Sequence, residues 1–312
     1  MRIRGVGLVP GCDSVGIVTS SFAVDVQGGT LAVHELAGDS DSPTTILAVH
    51  GITANGLSYA TLARRLPGGV RLLAPDLRGR AESAAVTGPW GLAAHVADLI
   101  AVLDHFGLDR VPAIGHSMGA YALALAAARH PDRFERVVLV DGGIGFPTPP
   151  GADVDAMLGA VLGPAQAKLS MTFADQAAYL EFMRTNPAIV ETEALGPKIA
   201  KDLQSYLFHD LVPRQGGVLG SSCVPEAIRS DGADTMIDSE VLTAASQLTM
   251  PGTLFWAPRG LQNQTPGLLP PELVESAGLG PRVRTEFVPD CNHYSIVFAD
   301  HALDRVLNAL FG

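Results

Sequence analysis

The 312-residue sequence has little cysteine, a shortage of basic residues and no long apolar run. Its three cysteines, Cys12, Cys223 and Cys291, are widely spaced and odd in number, which favours a reducing compartment over a disulfide framework or a zinc site. The net charge of −11 argues against nucleic acid or an anionic membrane as partner, because both require a basic face. No run of about 18 apolar residues occurs, and Gly, Pro and Asp interrupt the N-terminal segment before it reaches signal-peptide length. We therefore expect a cytoplasmic protein without membrane insertion.

What the sequence does contain is a well-filled globular composition, with 47% hydrophobic residues. Two β-rich runs, 16–26 and 30–36, are joined by Gln27-Gly28-Gly29 and predict an N-terminal hairpin. Short apolar runs then alternate with amphipathic segments, which is typical of βαβ units and a mainly parallel sheet. The predicted strands are 45–49, 70–74, 111–114, 136–140, 252–256 and 282–288, and the predicted helices are 59–66, 92–106, about 118–130, 271–276 and 302–311.

The alternation stops after Asp141 and resumes after Leu248. Between them, prolines interrupt the chain near Phe146, helical patterning follows, and no convincing strand is visible. The sequence therefore predicts one α/β core domain, 1–146 and 249–312, interrupted by a helical cap domain, 147–248. The helix candidates in the cap are 152–162, 173–185, 198–209 and 225–229.

The pentapeptide Gly115-His116-Ser117-Met118-Gly119 lies between a predicted strand and a predicted helix. A G-x-S-x-G sequence carries chemistry only in this context, because a sharp strand-to-helix turn exposes the serine hydroxyl above the sheet. A β-carbon is poorly tolerated at the flanking positions, which explains Gly115 and Gly119. Ser117 is therefore a candidate nucleophile, since a hydroxyl needs only an adjacent base to form an acyl intermediate.

These residues resemble the α/β-hydrolase fold, in its esterase/lipase-like serine hydrolase branch, over nearly the whole chain. His50-Gly51-Ile52 follows a strand as the family's oxyanion loop does, and Pro75-Asp76-Leu77-Arg78-Gly79-Arg80 resembles its Asp-x-Arg-Gly turn. The resemblance implies a mostly parallel eight-stranded sheet with a helical cap inserted after the sixth strand. It also implies an oxyanion hole made by the backbone N–H groups of Ile52 and Met118, and a bracing role for Asp76 and Arg78.

His293 follows the last predicted strand and is the best candidate for the general base, in the chain order serine, acid, histidine. The acid is harder to assign, because no carboxylate occurs between Glu240 and Glu272, where the loop after the seventh strand lies. A minority of the family carries the acid after the sixth strand, and Asp141 occupies that place. The alternative is Asn263 acting as a neutral group that orients the imidazole.

The sequence thus predicts a hydrolase that cleaves a carboxylic ester or lactone of a hydrophobic small molecule, without cofactor or metal. Two alternatives stay open: a carbon–carbon bond hydrolase of the same fold, and a small-molecule-binding protein that has lost catalysis. A homodimer is one assembly that the sequence allows. The candidate pocket residues, beside the catalytic ones, are Gly51, Phe146, Tyr179, Met183, Tyr206, Trp256 and Tyr294.

Overall fold

The computed structural model describes residues 18–145, 148 and 151–312, and its centre is an eight-stranded sheet in the order β1-β2-β4-β3-β5-β6-β10-β11. Strands β1 and β2 form an antiparallel hairpin, β2 pairs antiparallel with β4, and the remaining pairs are parallel. The predicted fold class and hairpin are confirmed. The strands are β1 Ser20–Val26, β2 Gly29–Ala37, β3 Thr44–Val49, β4 Val70–Pro75, β5 Val111–His116, β6 Phe134–Val140, β10 Gly252–Trp256 and β11 Val283–Phe287.

Helices cover both faces of the sheet, because successive side chains of a buried strand point to opposite sides. In β3, for example, Ile46 and Leu47 are both buried but belong to different apolar clusters. Helices α2 and α3 pack on one face, and α1 and α12 pack on the other. These and the remaining core helix are α1 Ala60–Arg65, α2 Leu92–His105, α3 Met118–Arg129, α11 Pro271–Ser276 and α12 Asp300–Phe311.

The segment between β6 and β10 is mainly helical, but the expectation that it contains no strand is wrong. Three short strands, β7 Thr172–Phe173, β8 Leu211–Pro213 and β9 Leu219–Ser221, form a small antiparallel sheet in the order β7-β9-β8. Strands of two or three residues are too short to show an alternating pattern. The helices are α4 Val154–Leu162, α5 Pro164–Ala167, α6 Gln176–Met183, α7 Pro187–Glu193, α8 Pro197–His209, α9 Pro225–Ile237 and α10 Ser239–Thr243.

The parallel strands bring distant parts of the chain to one edge of the sheet, because their carboxyl ends all lie on the same side. His50 follows β3, Ser117 follows β5 and Asp141 follows β6. Across the ranges described here, no helix is both long and apolar enough to cross a membrane.

Candidate active site

Ser117 is at the apex of the turn between β5 and α3, with φ 55° and ψ −126°. A non-glycine residue rarely adopts positive φ, and such strain is concentrated at functional sites. A Cβ built on Gly115 would lie 2.3 Å from the carbonyl oxygen of Gly119, and one on Gly119 would lie 2.1 Å from that of Val49. The predicted intolerance of a side chain at both glycines is confirmed. Within 111–127, Ser117 alone is not buried.

His293 and Asp141 are in direct contact. The Nδ1 atom of His293 lies 2.7 Å from Oδ2 of Asp141, and both side chains are buried. The other carboxylate oxygen of Asp141 accepts a hydrogen bond from the N–H of Ala257, at 3.1 Å. With one oxygen held by the backbone, the second is fixed toward the imidazole, so His293 carries its proton on Nδ1 and leaves Nε2 free to act as a base.

Asn263, the alternative partner for His293, is engaged elsewhere. Its Oδ1 accepts from Arg259 Nη1 at 3.0 Å and from Asn292 Nδ2 at 3.2 Å, while its Nδ2 donates to Glu191 Oε2 at 2.8 Å. Of the two candidates, the structure therefore brings Asp141 and not Asn263 to the histidine.

Ser117 and His293 line the same cleft, which opens to solvent. Three predicted pocket residues, Gly51, Tyr206 and Tyr294, line it as well. Its other lining residues are largely apolar and come from the loop after β3, the end of β5, the segment between β6 and β10, the loop after β10, and the segment around His293. They are Ile52, Thr53, Ala54, Ser58, His116, Leu162, Leu261, Val297 and Phe298.

The structure does not bring three other predicted pocket residues, Tyr179, Met183 and Trp256, to this cleft. Tyr179 is fully buried against Phe173, and its hydroxyl donates to Asp210 Oδ2 at 3.3 Å. Met183 is buried in the same apolar cluster as Tyr179, and the ring of Trp256 lies 4.6 Å from that of Phe287. Apolar spacing cannot distinguish such packing residues from pocket residues. Phe146 lies outside the described residues.

The start of α3 and the loop after β3 both suit the predicted oxyanion hole. Met118 is the first residue of α3, and the first N–H groups of a helix have no partner within the helix. His50 is buried, with Nδ1 donating to the carbonyl of Gly51 at 2.8 Å and Nε2 accepting from the N–H of Leu77 at 2.9 Å. Burial lowers the pKa of His50 to about 3, so this imidazole is neutral and its two nitrogens have fixed roles.

His116 has a contact that the sequence did not predict. Its Nε2 donates to the carbonyl oxygen of His293 at 2.8 Å, and the two rings lie 4.7 Å apart. Burial, together with the neighbouring His293, holds the pKa of His116 well below its usual value. A neutral His116 therefore supports the backbone of the candidate base. No local pattern could reveal a contact across 177 residues.

The Asp-x-Arg-Gly turn makes buried structural contacts, as predicted. Arg78 forms a buried ion pair with Asp98, and Asp76 accepts hydrogen bonds from the N–H groups of Gly56 and Glu82. Asp76 Oδ2 also lies 3.0 Å from His34 Nε2 and 2.9 Å from His209 Nε2. Among the described residues, these three side chains form the one group with the composition of a metal site. Their hydrogen bonds satisfy one another without an ion.

A serine on a sharp turn after the fifth strand, with a histidine and an acid at the same sheet edge, defines the class of α/β hydrolases. The chain belongs to the alpha/beta hydrolase fold family, whose family model matches residues 44–300. A stretch of 130 residues is 39% identical to Lipase LipV of Mycobacterium tuberculosis and covers 40% of this chain and 49% of the lipase.

A second relative is a 2-hydroxy-6-oxononadienedioate/2-hydroxy-6-oxononatrienedioate hydrolase of Klebsiella pneumoniae, 29% identical over 133 residues, 41% of this chain and 46% of that protein. The chain thus spans about half the length of these curated relatives. The solved structure of E-2-(acetamidomethylene)succinate hydrolase matches with a TM-score of 0.73 and 21% identity, over 94% of this chain and 100% of that one. At this identity the match shows the fold alone.

Proposed function

We propose that the protein is a serine hydrolase that cleaves a carboxylic ester or lactone through an acyl-enzyme on Ser117. The observation that carries the proposal is the hydrogen bond between His293 and Asp141 beside the cleft that Ser117 and His293 share. In this reaction His293 takes the proton of the Ser117 hydroxyl as the oxygen attacks the substrate carbonyl. The N–H groups of Met118 and Ile52 stabilise the resulting oxyanion.

Collapse of the tetrahedral intermediate expels the alcohol, which receives the proton from His293. Water then attacks the acyl-enzyme, with His293 again acting as the base, and the acid is released with free Ser117. Asp141 holds the imidazole in place and stabilises the imidazolium that forms in both steps.

The lining of the cleft supports a hydrophobic substrate of small or medium size. Leu162, Leu261, Val297 and Phe298 contribute apolar surface. Ser58 is different: its hydroxyl is buried and has no hydrogen-bond partner among the described residues. An unpaired buried hydroxyl favours a ligand with a polar atom at that point, because pairing recovers its desolvation cost.

A panel of p-nitrophenyl esters of increasing acyl length tests the proposal. We expect a preference for apolar acyl groups and loss of hydrolysis in Ser117→Ala. A preference for charged acyl groups would contradict the substrate class, and equal turnover by Ser117→Ala would contradict the mechanism.

The similarity to the dienedioate hydrolase favours a second candidate, hydrolysis of a carbon–carbon bond in a 2-hydroxy-6-oxo dienoate. Loss of the dienoate absorbance with no ester hydrolysis would select this alternative. Ester hydrolysis with an unchanged dienoate spectrum would exclude it.

A further inference from the structure

Three successive carbonyl groups in the loop after β3 are each held by a different buried basic side chain. His50 Nδ1 donates to the carbonyl of Gly51 at 2.8 Å, Arg80 Nε to that of Ile52 at 3.0 Å, and Lys168 Nζ to that of Thr53 at 3.0 Å. All three residues are at most 3% exposed. We call residues 51–53 the oxyanion loop.

Holding a carbonyl also fixes the N–H group of the next residue, because both belong to one planar trans peptide and point in opposite directions. The bond from His50 therefore sets the direction of the Ile52 N–H, and the bond from Arg80 sets that of the Thr53 N–H. Arg80 also contacts the second candidate donor residue, since its Nη2 lies 3.8 Å from Sδ of Met118.

The two cations are anchored by carboxylates from the segment between β6 and β10. Arg80 Nη1 lies 2.5 Å from Oδ2 of Asp231, which belongs to α9, and Lys168 Nζ lies 2.8 Å from Oδ2 of Asp210, which follows α8. Burial alone would lower the pKa of Lys168, but Asp210 holds it well above its usual value. Lys168 is therefore a charged donor.

We propose that Lys168 and Arg80 are positioning residues that couple the α4–α10 segment, residues 154–243, to the oxyanion loop. The inference rests on the proposed function, because it concerns the donors that would meet the oxyanion. Lys168 belongs to that segment, and Arg80 is tied to it through Asp231. Two of the three bonds that hold the loop therefore depend on the docking of the α4–α10 segment on the core.

Lys168 is the better residue to test, because its pair can be removed without leaving a buried charge. The double substitution Lys168→Met with Asp210→Asn removes one positive and one negative charge, so the net charge is unchanged. The new asparagine keeps an acceptor oxygen for Ser221 and Ser222. The matched control is Arg229→Met with Asp155→Asn, which removes an exposed ion pair of the same segment. Lys168→Gln with Asp210→Asn also leaves no buried charge and keeps a polar donor near the Thr53 carbonyl, so it is the second variant should the first fail to fold.

The readouts are kcat and KM, normalised to active sites, and the rate at which a fluorophosphonate labels Ser117. We expect the first double variant to lose about ten- to a hundredfold in both kcat and labelling rate, with KM little changed. Release of the Thr53 carbonyl loosens the loop that carries the Ile52 N–H, and a displaced donor acts on the transition state. Lys168→Gln with Asp210→Asn should show a smaller loss of the same kind, and the control should match wild type.

A purely structural role would lower the melting temperature and leave the rates per folded molecule unchanged, which would overturn the inference. Wild type that fails to label at Ser117 would instead overturn the proposed function itself. The two failures are therefore distinguishable in one experiment.

Discussion

Oδ2 of Asp141 lies 2.7 Å from Nδ1 of His293 across 152 residues of sequence, at the place where β6 ends. Asp141→Asn keeps the size of the side chain and can keep the bond to the Ala257 N–H. It removes the negative oxygen that selects the Nδ1–H tautomer. We expect kcat to fall about 10³- to 10⁴-fold with little change in melting temperature. Near-wild-type turnover would show that another group orients His293.

Placing a carboxylate in the loop after β10 should not rescue that loss. Asn263 is tied to Arg259, Asn292 and Glu191 rather than to His293. An aspartate there would also face the Glu191 carboxylate. We expect Asp141→Asn with Asn263→Asp to be as slow as Asp141→Asn alone. Recovery of turnover in the double variant would mean that the loop can supply the acid.

Gly119 is predicted to be intolerant of the smallest side chain. Its built Cβ would lie 2.1 Å from the backbone carbonyl of Val49, which cannot move without shifting β3. Gly119→Ala should destabilise the fold by about 1–3 kcal/mol or more and abolish labelling of Ser117. Gly68→Ala is the control, because nothing lies within 4 Å of the Cβ built there. Urea denaturation of both variants makes the comparison.

The His209–Asp76 contact should make stability depend on pH. Burial would lower the pKa of His209, but Asp76 and, more weakly, Glu82 and Asp210 hold it above its ordinary 6.5. Burial would raise the pKa of Asp76, but His209 and His34 hold it well below 3.8. The imidazolium's contribution is full below pH 6.5 and is lost as the pH rises through the folded-state pKa. The carboxylate's contribution is full above pH 3.8 and is lost as the pH falls through the folded-state pKa of Asp76.

We therefore expect His209→Gln to lower the free energy of unfolding by about 1.5–3 kcal/mol at pH 5 to 6, and by less at pH 9. Denaturation curves at the two pH values measure the difference. An equal loss of unfolding free energy at both pH values would mean that the imidazole of His209 is held there as a neutral group.

Ser58→Ala should separate stability from substrate binding. Its buried hydroxyl has no partner among the residues described, so its removal should leave the melting temperature unchanged or slightly higher. For a substrate whose polar atom reaches this hydroxyl, KM should rise severalfold, whereas a purely apolar acyl group should bind as before. Ser239→Ala, on the exposed start of α10, is the control. Equal KM values for Ser58→Ala and wild type across a mixed ester panel would contradict a hydrogen bond between the substrate and the Ser58 hydroxyl.

Most of the core could be predicted from sequence because its strands are continuous buried runs. The predicted strand 252–256 matches β10, and 45–49 differs from β3 by one residue. The predicted helix 173–185 was too long, because Phe173 belongs to β7 and α6 begins at Gln176. Two-residue strands depend on partners from distant sequence and leave no periodic signal of their own.

Some residues of the candidate site could likewise be predicted from the sequence, and others could not. Sequence could indicate Ser117 and Asp141 because each directly follows a strand, and His293 because it lies in the loop after the last strand. Parallel strands bring such positions to one edge of the sheet. Lys168 could not, since its bond to the carbonyl of Thr53 spans 115 residues and involves no motif. A pocket residue such as Leu162 depends on how the α4–α10 segment sits on the core, which composition does not encode.

The most direct test of the central claim is intact-mass analysis after exposure to a fluorophosphonate, with wild type and Ser117→Ala treated in parallel. We expect one covalent adduct on wild type and none on the variant, because the proposed mechanism has His293 and Asp141 activate the hydroxyl of Ser117. Folded wild type that gains no adduct, or a Ser117→Ala variant that gains the same adduct, would contradict it.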